Sequence, residues 1–193
     1  SNVGVVADDT AAVATARRGA GACEYGGDKG IFAYGHAAPN NVSISNLVSN
    51  TGVVSADVTG VGSVRTSIAG GSCSYGEDKG IMGYGNPGTV TNLVSNTGVV
   101  ATDVTAVGTS RKNAAACEYG ENYDKGIWAY GTPGSGTTSI SNLISNVGVV
   151  SADVAGVGTA RSNLAACSYG DDKGIFGMGH PATAVTNLVS NTG

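Results

Sequence analysis

The residues with chemical potential in this chain are few: two histidines, four cysteines, and an Asp, an Arg and an Asp-Lys pair that recur at fixed intervals. Asp9, Asp57, Asp103 and Asp153 each precede an arginine by eight positions, at Arg17, Arg65, Arg111 and Arg161. A ring of such groups would suit an anion or a metal. However, recurrence in every copy favours a structural task, fixing the loop between one unit and the next, since a site normally breaks symmetry. Lys29, Lys79, Lys125 and Lys173 each follow an aspartate in a turn and read as solvated residues.

Cys23, Cys73, Cys117 and Cys167 fall one per copy, with no Cys-x-x-Cys pair, so neither a zinc ribbon nor a disulfide framework is indicated. Small thiols packed between units fit better than a four-cysteine metal site. His36 and His180 follow the glycine that closes a strand, where the other copies carry Asn86 and Thr132. No carboxylate recurs beside them, so they read as exposed loop residues and not as metal ligands. Trp128 replaces Phe32, Met82 and Phe176 and reads as core between units. There is no phosphate-binding loop and no nucleophile elbow. The chain is expected to be non-enzymatic, with no cofactor.

These residues are positioned by a repeat. Asn-x-Gly-Val-Val begins at Asn2, Asn50, Asn96 and Asn146, and Asn191-Thr192-Gly193 starts a fifth copy. The units are 2–49, 50–95, 96–145 and 146–190, together forming one expected domain over 1–193. Within the fourth, Leu164–Tyr169, Lys173–Met178 and Ala184–Val189 read as strands, separated by turns at Gly170-Asp171-Asp172 and Gly179-His180-Pro181. The Val-Val-x-x-Asp-Val segment, as in Gly52–Val58, reads as a fourth. The composition agrees: 32 glycines in 193 residues, 12% charged residues and a net charge of −4. It argues against long helices and nucleic acid as a partner, and no apolar run is long enough to span a membrane as a helix. No signal peptide is visible at Ser1–Gly4.

Four-stranded units of this length, with Arg161-x-x-x-Ala165-Ala166 leading to Tyr169-Gly170, Lys173-Gly-Ile-Phe and Gly179, resemble kelch-type β-propeller repeats. The Gly-Gly doublet of that family is replaced by Tyr34-Gly35, Tyr84-Gly85, Tyr130-Gly131 and Met178-Gly179, and its later tryptophan is missing. The phrases Tyr-Gly-x-Asp-Lys-Gly-Ile and Asn-Leu-Val-Ser-Asn-Thr-Gly-Val-Val also resemble repeat proteins of marine bacteriophages, structural or tail-fibre-like. That resemblance implies a virion or extracellular location and an adhesion role.

The expected fold is therefore all-β: a propeller of four antiparallel, four-stranded blades. Val3–Asp9 is expected to complete the last blade in a 3+1 strand exchange, giving a closed monomer. Two chains forming an eight-bladed ring, or a piece of a longer array, are the alternatives. The loop after the second strand varies most among copies, and variation on a rigid scaffold marks a binding surface. Its candidate ligand-binding residues are His36, Asn40, Asn86, Thr132, Ser135 and His180, contacting a surface glycan or a protein. A propeller hydrolase or lyase with an axial site, and a repeat with no ligand, are the competing functions.

Overall fold

The structure, a computed structural model, describes residues 4–68, 70–88 and 90–193; Asn2 and Val3, where the first copy was expected to begin, lie outside the described residues. The chain is all-β, with several small antiparallel sheets, none of them closed.

In the first repeat, β1 (Gly21–Tyr25) and β2 (Lys29–Ala33) form a hairpin, and a two-strand ribbon follows, β3 (His36–Ala37) and β4 (Asn40–Asn41). Strand β5 (Ser45–Val48) then pairs with β2 to give the order β1-β2-β5. The second repeat has β6 (Ser72–Tyr75), β7 (Lys79–Gly83), β8 (Val90–Val94) and β9 (Val104–Thr105) in sequential order. The third has β10 (Ala115–Tyr119), β11 (Lys125–Ala129) and β12 (Ser141–Ile144), and the fourth β13 (Ala165–Tyr169), β14 (Lys173–Gly177) and β15 (Thr186–Val189). The three expected strands of the fourth unit are thus found, without Leu164, Met178, Ala184 and Val185 at their ends.

The fourth strand is weaker than expected. Only β9 is a continuous strand; elsewhere the Val-Val-x-x-Asp-Val segment touches its neighbour at single bridges, Val48 with Val54 and Ser45 with Val58, and again Ile144 with Val150 and Ser141 with Val154. The segment is held by side chains instead. The Asn46 amide donates to the Ser55 carbonyl and to Asp57, and Asn142 does the same to Ser151 and Asp153.

Sheets stack in chain order: β1 packs on β6 and β7, β6 on β10 and β11, and β10 on β13 and β14. The close approach is set by cysteine against glycine. A Cβ on Gly126 would lie 2.6 Å from Cys73 Sγ, and Gly80 and Gly174 face Cys23 and Cys117 in the same way. The expectation that the thiols pack between units therefore holds at three of the four positions, while Cys167 is exposed. Trp128 is fully buried, edge-on to Tyr84 with ring centroids 5.2 Å apart, so it is core and no sugar platform.

The expected 3+1 closure is not formed. Val5 and Val6 are exposed, and among the described residues no hydrogen bond joins 4–9 to the sheet of β13–β15. Among the described residues the first side-chain anchor of the segment is Thr15, whose backbone N–H and hydroxyl donate to Asp57 beside the first sheet, at the opposite end of the stack from β13–β15.

Because Gly126 has no room for a methyl group, Gly126→Ala should destabilise the fold by about 1–3 kcal/mol. Adding Cys73→Ala should make the double variant less unstable than the two single effects summed, by roughly 0.5–3 kcal/mol. Urea unfolding of the four proteins measures this; strict additivity would show that the Cys–Gly contact does not set the spacing.

Candidate functional site

Three groups of polar residues stand out, and the repeat positions each differently. The first is the conserved-spacing Asp and Arg. Their pairing differs from the sequence expectation: Arg17 lies 4.0 Å from Asp57, Arg65 from Asp103 and Arg111 from Asp153, so each arginine meets the aspartate at the far end of its own sheet and not the one eight residues earlier. At that distance the contact is not bidentate. The carboxylate is instead held by a Ser or Thr two positions before the arginine, Ser63 donating its N–H and hydroxyl to Asp103, and Thr109 to Asp153.

Hydrogen bonds from the Thr15 hydroxyl, then Asn46, hold the Asp57 carboxyl below the usual range. Burial works against charge on Asp103 and Asp153, but the bonds from Ser63 and Thr109, with Asn92 and Asn142, still bring both carboxyls down. The arginines are buried and stack on a tyrosine of the preceding repeat: Arg65 on Tyr34 at 3.9 Å, Arg111 on Tyr84 at 4.5 Å, Arg161 on Tyr130 at 4.0 Å. Those tyrosines adopt positive φ (62°, 57° and 63°), and the hydroxyl of each donates to a later backbone carbonyl, as Tyr84 does to Val107 at 2.7 Å. A bulky side chain in this region is strained, and burial against arginine offsets that cost. This cluster joins one sheet to the next, although Arg65 Nε and Nη1, Arg111 Nε and Arg161 Nε have no hydrogen-bond partner among the described residues.

The second group is the six loop residues. His36, Asn86, Thr132 and His180 occupy one equivalent position, each bridged to the residue after the arginine or its counterpart: Arg18, Thr66, Lys112 and Ser162. His36 Nδ1 lies 3.0 Å from Asn41 Oδ1, and the Asn41 amide donates to the Asn86 carbonyl at 3.3 Å. The first two loops are therefore in contact. No hydrogen bond among the described residues joins Thr132 or Ser135 to His180, and Asn40, Asn86, Ser135 and His180 are exposed. The loops form an edge along the stack and not a pocket.

The third group was not singled out by sequence reasoning. One residue after each cysteine the side chains alternate as Glu24, Ser74, Glu118 and Ser168. Glu118 accepts a bond from the Ser74 N–H at 2.8 Å and from the Ser168 hydroxyl at 2.7 Å. A groove of about 690 Å³ runs past these residues and includes Phe32 and Tyr123 in its wall. The alternation itself was the available signal, hidden because only the cysteine before it is invariant. Burial pushes the nearby thiols up, to about 12 for Cys23 and Cys117 and well above the ordinary value for Cys73, so they stay protonated and poorly nucleophilic. Among the described residues no set of three His, Cys, Asp or Glu is disposed to hold a metal ion.

No protein-family model and no curated protein matches the chain.

Carboxyls depressed in the folded state contribute stability above the unfolded value of about 3.9, and that contribution is lost as pH falls through the lower folded values. Stability should therefore be insensitive to these groups between about pH 5 and 7 and drop below about pH 4. Asp153→Asn should lower the neutral-pH urea midpoint and shrink the acid-induced drop. An identical drop in the variant would show that Asp153 carries none of it.

Proposed function

We propose that the chain is a non-enzymatic binding module of propeller type. In this reading it has four blades, the last of which takes its fourth strand from an N-terminal Asn-x-Gly-Val-Val segment. The virion-associated or extracellular adhesion role implied by the phage resemblance fits best, with the variable loops contacting a surface glycan, or a protein, of a host cell.

The observation that carries this is the division of labour among polar residues. The recurrent Arg, Asp, Asn and Ser or Thr cluster is committed to holding the sheets together, through bonds such as those of Asn142 and Thr109 to Asp153. The loop residues differ from copy to copy; Asn40, Asn86, Ser135 and His180 are exposed, and the equivalent position of each loop is anchored to the stack by a backbone bridge. Small hydroxyl and amide side chains with two imidazoles on a rigid edge suit a hydroxyl-rich ligand, which is recognised by several directional hydrogen bonds and not by one deep pocket.

Binding of the purified chain to a glycan array and to intact candidate host cells tests the reading. Replacing His36, Asn40, Ser135 and His180 together by alanine should weaken binding at least about tenfold, or ~1.4 kcal/mol. The melting temperature should be nearly unchanged, because these side chains are outside the core. Absence of binding by the chain with its loops intact would sink the adhesion role.

A further inference from the structure

The joint between successive sheets is made three times from the same positions, and both halves of a fourth joint are left uncovered. We propose that a second copy of this chain docks its first sheet, together with its N-terminal segment, on the last sheet of the first copy. The inference rests on the blade reading of the repeats but on no ligand.

The halves match position by position. At the internal joints Gly98 fits against Tyr25 and Leu47, and Gly148 against Tyr75 and Leu93. The corresponding Tyr169 and Leu188 of the last sheet are 38% and 70% exposed, and the corresponding Gly52 of the first sheet has nothing within 4 Å of its Cβ position. Tyr84 packs on Trp128 and Tyr130 on Phe176. The equivalents, Met178 and Phe32, are 56% and 44% exposed. The backbone repeats the pattern: Gly26, Gly76 and Gly120 each donate to the turn aspartate of the next repeat, at Asp78, Asp124 and Asp172. Gly170 has no such acceptor among the described residues, and Asp28, at the other end of the stack, is the carbonyl of that type left over.

A missing strand leaves a still more specific gap. Asn46, Asn92 and Asn142 donate to Asp57, Asp103 and Asp153, and Arg17, Arg65 and Arg111 lie beside the same carboxylates. In the fourth repeat Asn187 accepts from Arg161 at 2.8 Å, yet no aspartate reaches either residue, and Arg161 is a fully buried cation with no carboxylate within 4.0 Å among the described residues. Such a charge is costly unless paired. Between β12 and β15 a cavity of about 330 Å³ is lined by Leu143, Val154 and Val189, on the flank where Val100 and Val150 seal the earlier joints. Asp9 and Val6 are the counterparts of Asp57 and Val54, and Val6 is 94% exposed. Seated as the fourth strand, this segment would bring Asp9 to Arg161 and Asn187 and place Val6 beside Val189.

One docking event supplies all of these partners, because the N-terminal segment leads directly into the first sheet of the same copy. The own segment does not fill the gap in this structure, and sheet faces that differ from each other pair head to tail, by strand addition.

Light scattering on the 193-residue chain tests this with two variants at exposed positions, Phe32→Asp on the first sheet and Leu188→Asp on the last. The unaltered chain should show a mass above 18.9 kDa that rises with concentration. Each variant alone should stay monomeric with an unchanged melting curve. An equimolar mixture should recover a single dimer, since one intact face of each kind remains. Labelling of the exposed Cys167 thiol should slow in the unaltered assembly and return to full rate in Leu188→Asp. Val6→Asp should shift the dimer toward monomer at least about tenfold in Kd. A monomeric unaltered chain at every concentration, as closure within one copy would give, overturns the proposal. So does an assembly indifferent to these substitutions, or a mixture that stays monomeric. None of these outcomes depends on whether the loops bind a glycan.

Discussion

The structure depends on a buried guanidinium. Arg65, Arg111 and Arg161 each enter the joint between two sheets and lie flat on a tyrosine of the sheet before. Arg17, in the first sheet, shows the bonding within a sheet, donating to the Tyr34 carbonyl at 2.7 Å and to Asn46 Oδ1 at 2.6 Å. A buried cation is costly unless it is hydrogen-bonded and a counter-charge is near. That requirement explains why an aspartate, an asparagine and a serine or threonine accompany the arginine. The aspartate belongs to a segment that has too few ladder bonds to hold itself as a strand, so the ion cluster ties this segment down.

The same requirement explains the composition. Where a large polar side chain is buried at every joint, the surrounding residues must be small for the sheets to meet. Glycines face the cysteines Cys23, Cys73 and Cys117 across the joints, and the tyrosine under the arginine accepts a positive φ to reach it. Packing of this kind is rigid and alike from repeat to repeat, which leaves diversity to the loops. A stack of like joints also has faces at its ends that suit each other, since each end displays one half of the contact made inside.

Much of the fold was legible. The hairpins at Tyr25–Lys29 and Tyr169–Lys173 were marked by Gly-Asp turns, and the pairing of small-residue strands followed from alternation and spacing. The third strands were recognisable from Asn-Leu-Val-Ser-Asn. What was misread was the partner of each aspartate. Eight residues separate Asp57 from Arg65 in the chain, but Arg17 is the one beside it, because the chain returns to the outer edge of a sheet only after passing through its other strands. The Glu118–Ser168 contact was missed for a similar reason: it joins residues fifty positions apart that meet only when inner strands stack.

Sequence alone determined the repeat, the strand-forming segments, the turn glycines, the expectation of small thiols between units, and the loops where copies differ. These follow from local preferences and from identity among copies, which need no knowledge of distant contacts. Tertiary structure alone decided which charges meet, which sheet faces stay open and whether the fourth strand is a true strand. Those outcomes depend on how far each sheet lies from the next, and that distance is set by a glycine opposite a cysteine and a tyrosine beneath an arginine, pairs that no local stretch of sequence contains.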